Sequence, residues 1–266
     1  MNTITITLAK QAQLYLEADL ITPDQFAGKS TAEIGAIEIS EGKIRYPLAS
    51  FAKIEGAAGP TPEETRIVLN GDWSRVKRIG QQMSAGEIII NSNVDMYTGG
   101  WMKGGKITVN GNADSFTGIA MAGGELTIKG NCQNHVGSAY RGDWRGMTGG
   151  VLRVMGNVGN DIGTFMRGGT IIVEGDAFIH VHTHGEGGTI IVKGNVEGRV
   201  GGQSVKGDVF VNGKIDYMMP GFKYVDDVTK EVDGVSAVYA HYIGDLGERH
   251  PDVKGQKIFT NLYLKK

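Results

Sequence analysis

The sequence predicts an all-β protein, a right-handed parallel β-helix of about seven 19-residue turns with small capping segments at both ends. Three observations carry this expectation. The first is glycine: 42 of 266 residues, 32 of them between positions 71 and 214. That share is about twice the average of roughly 7%. The second is period. Gly86, Gly105, Gly124, Gly150, Gly169, Gly188 and Gly207 are spaced 19, 19, 26, 19, 19 and 19 apart, so the exception is one period plus seven residues. The third is alternation. Two and four residues past each anchor stand Ile88/Ile90, Ile107/Val109, Leu126/Ile128, Leu152/Val154, Ile171/Val173, Ile190/Val192 and Val209/Val211, all aliphatic. Period-2 alternation places one face of a strand inward and the other outward.

Each anchor is therefore read as opening a short strand: 87–90, 106–109, 125–128, 151–154, 170–173, 189–192 and 208–211. The residue between the aliphatic pair varies: Ile89, Thr108, Thr127, Arg153, Ile172, Ile191 and Phe210. Seven residues past the anchor comes a corner residue, Asn93, Asn112, Asn131, Asn157, Asp176 and Asn195, with Lys214 closing the series. Asn and Asp suit a corner because they tolerate left-handed backbone. A small or medium apolar residue follows each time, Cys132 among them. Three residues before the next anchor stand Met83, Met102, Met121, Met147 and Met166, then Gly185 and Ser204. A unit this small cannot bury its apolar face alone, but stacked copies build continuous interior ladders. Seven layers at about 4.8 Å would make a prism of roughly 34 Å. The right hand is expected because crossover connections take it. Calcium-binding nonapeptide rolls and hexapeptide helices do not fit these offsets.

Residues 1–66 and 215–266 lie outside the repeat and are expected to cap it, since a stack leaves unpaired strand edges and an open core at each end. Thr3 to Leu8 alternates like a strand, and Ser30-Thr31-Ala32-Glu33 has the form of a capping box. The C-terminal segment is also a candidate for partner contacts.

Charge is nearly balanced, with 27 Lys+Arg against 29 Asp+Glu, so nothing advertises nucleic acid or an anionic membrane. One cysteine excludes an intrachain disulfide and a four-cysteine metal site. The N-terminus lacks a basic stretch followed by an apolar run, and no span of about 20 apolar residues occurs. A cytoplasmic protein is the expectation.

The seven-residue insertion is the first candidate site. It carries Tyr140, Arg141, Asp143, Trp144 and Arg145, residue types that dominate interface energetics. The reading is contact with a partner or an anionic ligand. The alternative is a loop folded on its own prism, with Asp143 pairing an arginine. The second candidate is His180, His182 and His184, alternate histidines that could face one way on a strand and bind a metal. The stronger reading is structural: His182 takes a glycine position while Gly185 takes a methionine position, as volume compensation inside a packed turn would require. His180 and His184 fall in rows that look mainly outward. Arg75, Lys77 and Arg78 form a basic cluster near the first turn. Ser/His/Asp orders, paired carboxylates and phosphate loops do not rise above background. No catalytic or metal residue is assigned.

Three segments carry a family resemblance: Arg78 to Ile89, Met102 to Val109 and, most specifically, Val136-Gly137-Ser138-Ala139-Tyr140-Arg141-Gly142-Asp143-Trp144-Arg145-Gly146-Met147. They resemble the C subunit of formylmethanofuran dehydrogenase, and the repeat also resembles the C-terminal β-helix of glutamate synthase. The resemblance implies a non-catalytic scaffold in a cytoplasmic complex that reduces CO₂ with methanofuran to formylmethanofuran. It implies partners: metallopterin subunits with molybdenum or tungsten, an amidohydrolase-like subunit with a metal centre, and ferredoxin-like subunits with iron–sulfur clusters. It implies no cofactor on this chain, with methanofuran nearby. The C subunit of a bacterial formyltransferase/hydrolase complex is the alternative. A free-standing β-helix acyltransferase is disfavoured by the spacing.

Overall fold

The computed structural model describes residues 1–245, 252, 253 and 256–266. Thirteen strands form the main sheet: β1 (Asn2–Leu8), β2 (Ala52–Gly56), β3 (Thr65–Asn70), β4 (Glu87–Ile90), β5 (Lys106–Val109), β6 (Glu125–Ile128), β7 (Thr148–Val154), β8 (Gly168–Val173), β9 (Glu186–Val192), β10 (Lys206–Val211), β11 (Lys223–Val232), β12 (Val235–Gly244) and β13 (Thr260–Lys265). Their order is β11-β12-β13-β10-β9-β8-β7-β6-β5-β4-β3-β1-β2.

From β4 to β10 every neighbour is parallel and pairs with its sequence equivalent: Ile88 with Ile107, Leu126 with Leu152, Ile190 with Val209. The fourteen aliphatic residues of the repeat are all at most 1% exposed. A second run of parallel bridges links Val94, Ala113, Cys132, Val158 and Ala177. It continues as a three-stranded sheet, Ala177–Val181, Val196–Val200 and Ile215–Tyr217. Each coil thus closes on the next through two ladders.

Two devices hold the coils in step. At the corner, each Asn or Asp side-chain oxygen accepts the backbone N–H of its equivalent one coil later. The bonds run Asn112 to Asn93, Asn131 to Asn112, Asn157 to Asn131, Asp176 to Asn157, Asn195 to Asp176 and Lys214 to Asn195, at 2.7–2.9 Å. A register slip would break the whole file at once; each bond is solvent-exposed and contributes about 0.5–1.5 kcal/mol. The anchor glycines are required by the backbone: Gly105, Gly124, Gly150, Gly169 and Gly188 have φ between 77° and 84°, and a Cβ at the first four would also stand 2.7–2.9 Å from backbone atoms of the preceding coil. A Cβ at Gly105, Gly124, Gly150, Gly169 or Gly188 would stand 2.6–2.8 Å from the Cε of Met83, Met102, Met121, Met147 or Met166 of the preceding coil. These methionines are fully buried. The methionine row is interior filling, as expected of a flexible thioether.

The sheet is mixed rather than parallel throughout. β1 joins β3 in parallel, but β2 runs antiparallel to β1. At the other end β13 pairs parallel with β10, then β12 and β11 follow antiparallel. The ladder therefore runs past the glycine repeat at both ends, using strands whose sequences do not repeat. The last four repeat strands also begin two or three residues before the predicted starts, with the register shifting at the glycine pairs of β7 and β9.

The N-terminal segment adds two short helices, α1 (Pro23–Phe26) and α2 (Thr31–Gly35). The capping box predicted at Ser30 and Glu33 is present. Phe26, Ile34 and Leu48 are fully buried in the same core as the coils. The basic cluster fastens this segment. Arg75 donates to the Ala12 and Gln13 carbonyls, Lys77 lies over the Tyr15 ring and Arg78 pairs with Glu17.

Candidate interaction surface

Two files of non-glycine residues with left-handed backbone run along one face. One holds Arg78, Tyr97, Phe116, His135, Asp161, His180 and Arg199; the other holds Gln82, Trp101, Ala120, Phe165, His184 and Gln203. All have φ between 48° and 67°. Such values are uncommon outside glycine, and here every coil but that of His135 has one in each file. Equivalent rings consequently stack. Tyr97 lies on Phe116 at 5.1 Å, Phe116 on His135 at 4.6 Å and Phe165 on His184 at 4.7 Å between centroids. Arg78 extends the first file over Tyr97, 4.8 Å from its centroid. The expectation that these rows face mainly outward holds only in part. Phe116 is buried, and burial lowers the pKa of the half-buried His135 imidazole.

The insertion sits on this face. Tyr140 folds back and leans on both files at once, 6.2 Å from Tyr97 and 5.6 Å from Trp101. Asp143 and Arg145 form a two-bond pair (2.9 and 3.2 Å), and Arg145 holds the Asp143 carboxyl below the usual range. The Trp144 backbone N–H donates to the same carboxylate. Trp144 itself projects, 70% exposed, and Arg141 is exposed. The loop therefore combines both predicted states: Tyr140 is folded on the coils and Trp144 is presented outward.

The three histidines do not converge. His182 turns inward and is fully buried, while His180 and His184 stand in the two outer files. Burial keeps the His182 imidazole neutral by lowering its pKa, and its Nε2 lies 3.0 Å from the Gly187 carbonyl, the geometry of an Nε2–H donor. A methyl group at Gly185 would overlap the ring, and one at Gly207 would stand 2.5 Å from it. His182 thus does the filling that methionine does in earlier coils. Among the described residues, no group of three His, Cys, Asp or Glu side chains could hold a metal ion. Cys132 is buried, which pushes its thiol up to about 12. A single cysteine cannot supply the four thiolates of a cysteine-ligated iron–sulfur cluster.

The class of protein defined here is an all-β stack of coils whose distinctive outer feature is an aromatic-lined face carrying one loop. No protein-family model matches the chain. Its curated relatives include formylmethanofuran dehydrogenase C subunits. A 99-residue stretch is 47% identical to the C subunit of the tungsten-containing formylmethanofuran dehydrogenase 2 of Methanothermobacter wolfeii, covering 37% of each chain. A 97-residue stretch is 44% identical to the C subunit of the molybdenum-containing enzyme 1 of Methanosarcina barkeri, covering 36% of this chain and 32% of that one. The matched stretch spans about a third of these relatives' length. A solved chain of the formyltransferase/hydrolase complex (FhcABCD) from Methylorubrum extorquens, in complex with methylofuran, superposes with a TM-score of 0.81 over 98% of both chains at 23% identity, and so shares the fold. No helix among the described residues is long and apolar enough to cross a membrane.

Proposed function

We propose that this chain is the non-catalytic scaffold subunit of a cytoplasmic complex of the formylmethanofuran dehydrogenase type, which reduces CO₂ with methanofuran to formylmethanofuran. The observation that carries this reading is the identity of 44–47% to C subunits of tungsten and molybdenum enzymes. The coils wind as a right-handed parallel β-helix, with residues 1–66 and 215–266 closing the ends of the 67–214 stack. Stacked coils with a ladder of side-chain hydrogen bonds make a rigid bar, suited to holding other subunits at fixed separations. Metal and pterin chemistry then belongs to partner subunits. Tyr140, Arg141, Asp143, Trp144 and Arg145 serve partner contact, with the exposed Trp144 as anchor.

The fold shared with a chain of the bacterial complex supports a second reading, a scaffold that works without a metallopterin partner. Purification of the native assembly, with mass spectrometry of its subunits and metal analysis, separates the two. Stoichiometric tungsten or molybdenum is expected. A stable assembly holding neither metal would support the second reading, and a chain purifying alone would overturn both. The isolated chain is expected to show no formyl-transfer activity.

A further inference from the structure

The insertion is bonded at its neck and free at its tip. The Met147 N–H donates to the Gly137 carbonyl at 3.0 Å, which closes the loop on itself. Its two feet are bonded to the next coil, the Ala139 N–H to the Thr164 carbonyl at 3.0 Å and the Gly146 N–H to the Phe165 carbonyl at 2.9 Å. Between the feet, the Asp143 N–H donates to the Tyr140 carbonyl at 2.9 Å and makes a tight turn. Gly142 has left-handed backbone there, φ 79°, and a Cβ added to it would meet nothing within 4 Å. The Asp143 carboxylate is engaged inside the turn, by the Trp144 N–H and by Arg145. Among the described residues, the ring contacts of Tyr140 with Tyr97 and Trp101 are the only ring contacts or hydrogen bonds that tie residues 140–145 to the coils. The indole of Trp144, 70% exposed, points the other way.

We propose that Tyr140 is a positioning residue: docked across the two files, it holds the turn in one shape and so aims Trp144 at a pocket of a partner subunit. It acts on that contact through Trp144 and not by touching the partner itself. The proposal rests on the insertion being a partner contact. The geometry supports it in two ways. The backbone bonds fix the loop only as far as residues 139 and 146, so without the Tyr140 ring the six residues between would keep their freedom until the partner ordered them. A loop held in its bound shape beforehand avoids that loss, and association is tighter for it. The hold also lies in the ring. The Tyr140 hydroxyl takes no hydrogen bond among the described residues, so a phenylalanine at this position can do the same work.

The test reads the loop and the contact separately. In the free chain, amide hydrogen exchange is followed by NMR. Tyr140→Ala is expected to speed exchange of the Asp143 amide about tenfold while the amides of β5 and β6 stay as they are. Tyr140→Phe is expected to keep the wild-type rate. Gly142→Ala strains the turn without touching the coils and is expected to loosen it as Tyr140→Ala does. An Asp143 amide that exchanges at the wild-type rate in Tyr140→Ala overturns the proposal. In the native assembly, purified through a tag on this chain, release of partner subunits on dilution is timed. Trp144→Ala and Tyr140→Ala are each expected to speed release about tenfold, and Tyr140→Phe to leave it unchanged. A loosened loop with unchanged release overturns the proposal. So does Tyr140→Phe releasing as fast as Tyr140→Ala, which would assign the hydroxyl a direct bond to the partner. Unchanged release in Trp144→Ala overturns the contact reading itself, and that failure shows without any change at Tyr140.

Discussion

The outer face of the main sheet differs between its two halves although the inner face does not. In the early coils the outward residue is Ile89, Thr108 or Thr127, each only half-buried. In the late coils it is Ile172, Ile191 or Phe210, and each is at most 7% exposed. What covers them is the hairpin β11–β12, which curls back from the end of the sheet. Its Val232 and Tyr239 join Tyr263 in a second small core with these three residues. Tyr239 meets Phe210 edge-on at 5.5 Å, and Tyr263 stacks on Phe210 at 4.5 Å. The tip is pinned by charge. Asp233 takes two bonds from Arg153 (2.6 and 3.1 Å) and lies 2.7 Å from Lys193, and both cations also reach Glu174. One repeat can thus carry two exteriors, and its outward apolar residues are fully buried only where a strap returns to cover them.

The comparison breaks most severely at Tyr239, which is 1% exposed. Tyr239→Ala should destabilise the chain by about 3–5 kcal/mol. It should also expose hairpin amides in hydrogen exchange while the amides of β5 and β6 stay protected. Uniform loss of protection along the stack would show that the strap and coils form one cooperative unit. A smaller effect is expected at the pinned tip. Arg153 first, and then Lys193, hold the Asp233 carboxyl down at about 2, against an ordinary 3.8. The ionised form therefore stabilises the fold above about pH 4, and that contribution disappears as pH falls through 2. Asp233→Asn should cost roughly 1 kcal/mol at neutral pH after allowance for solvent screening. The wild type and variant should converge in urea midpoint near pH 2; a constant gap across pH would assign the effect to something other than this carboxylate. The smallest change is expected on the uncovered half. Thr127→Ile should alter stability by no more than about 0.5 kcal/mol, measured as the same urea midpoint. A large loss there would mean that the early coils are covered too.

Much of the interior was legible in the residues. Spacing alone placed the buried aliphatic pairs, the asparagine corners, the methionine row and the His182/Gly185 exchange. The insertion was equally visible as seven extra residues. The two rows that hold His180 and His184 could be counted as well, but not their left-handed backbone or the stacking of their rings. Tyr97, Trp101, Phe116 and Phe165 are residue types with no preference for left-handed backbone, and only their position two residues either side of a glycine corner hinted at it. The hairpin was hidden for a different reason. Tyr239 and Val232 sit in a segment without repeat, and their partners Ile172 and Ile191 lie far away in the chain.

The amino-acid order on its own determined which residues line up from coil to coil, because an equivalent residue one coil away is the neighbour and can be found by counting. Only the tertiary structure decided what happens once per molecule: Tyr140 bridging two files, Asp233 reaching Arg153, and β13 extending the ladder beyond the last glycine anchor. Those contacts join segments with no common period, so their pairing depends on the path of the folded chain and leaves no spacing to count.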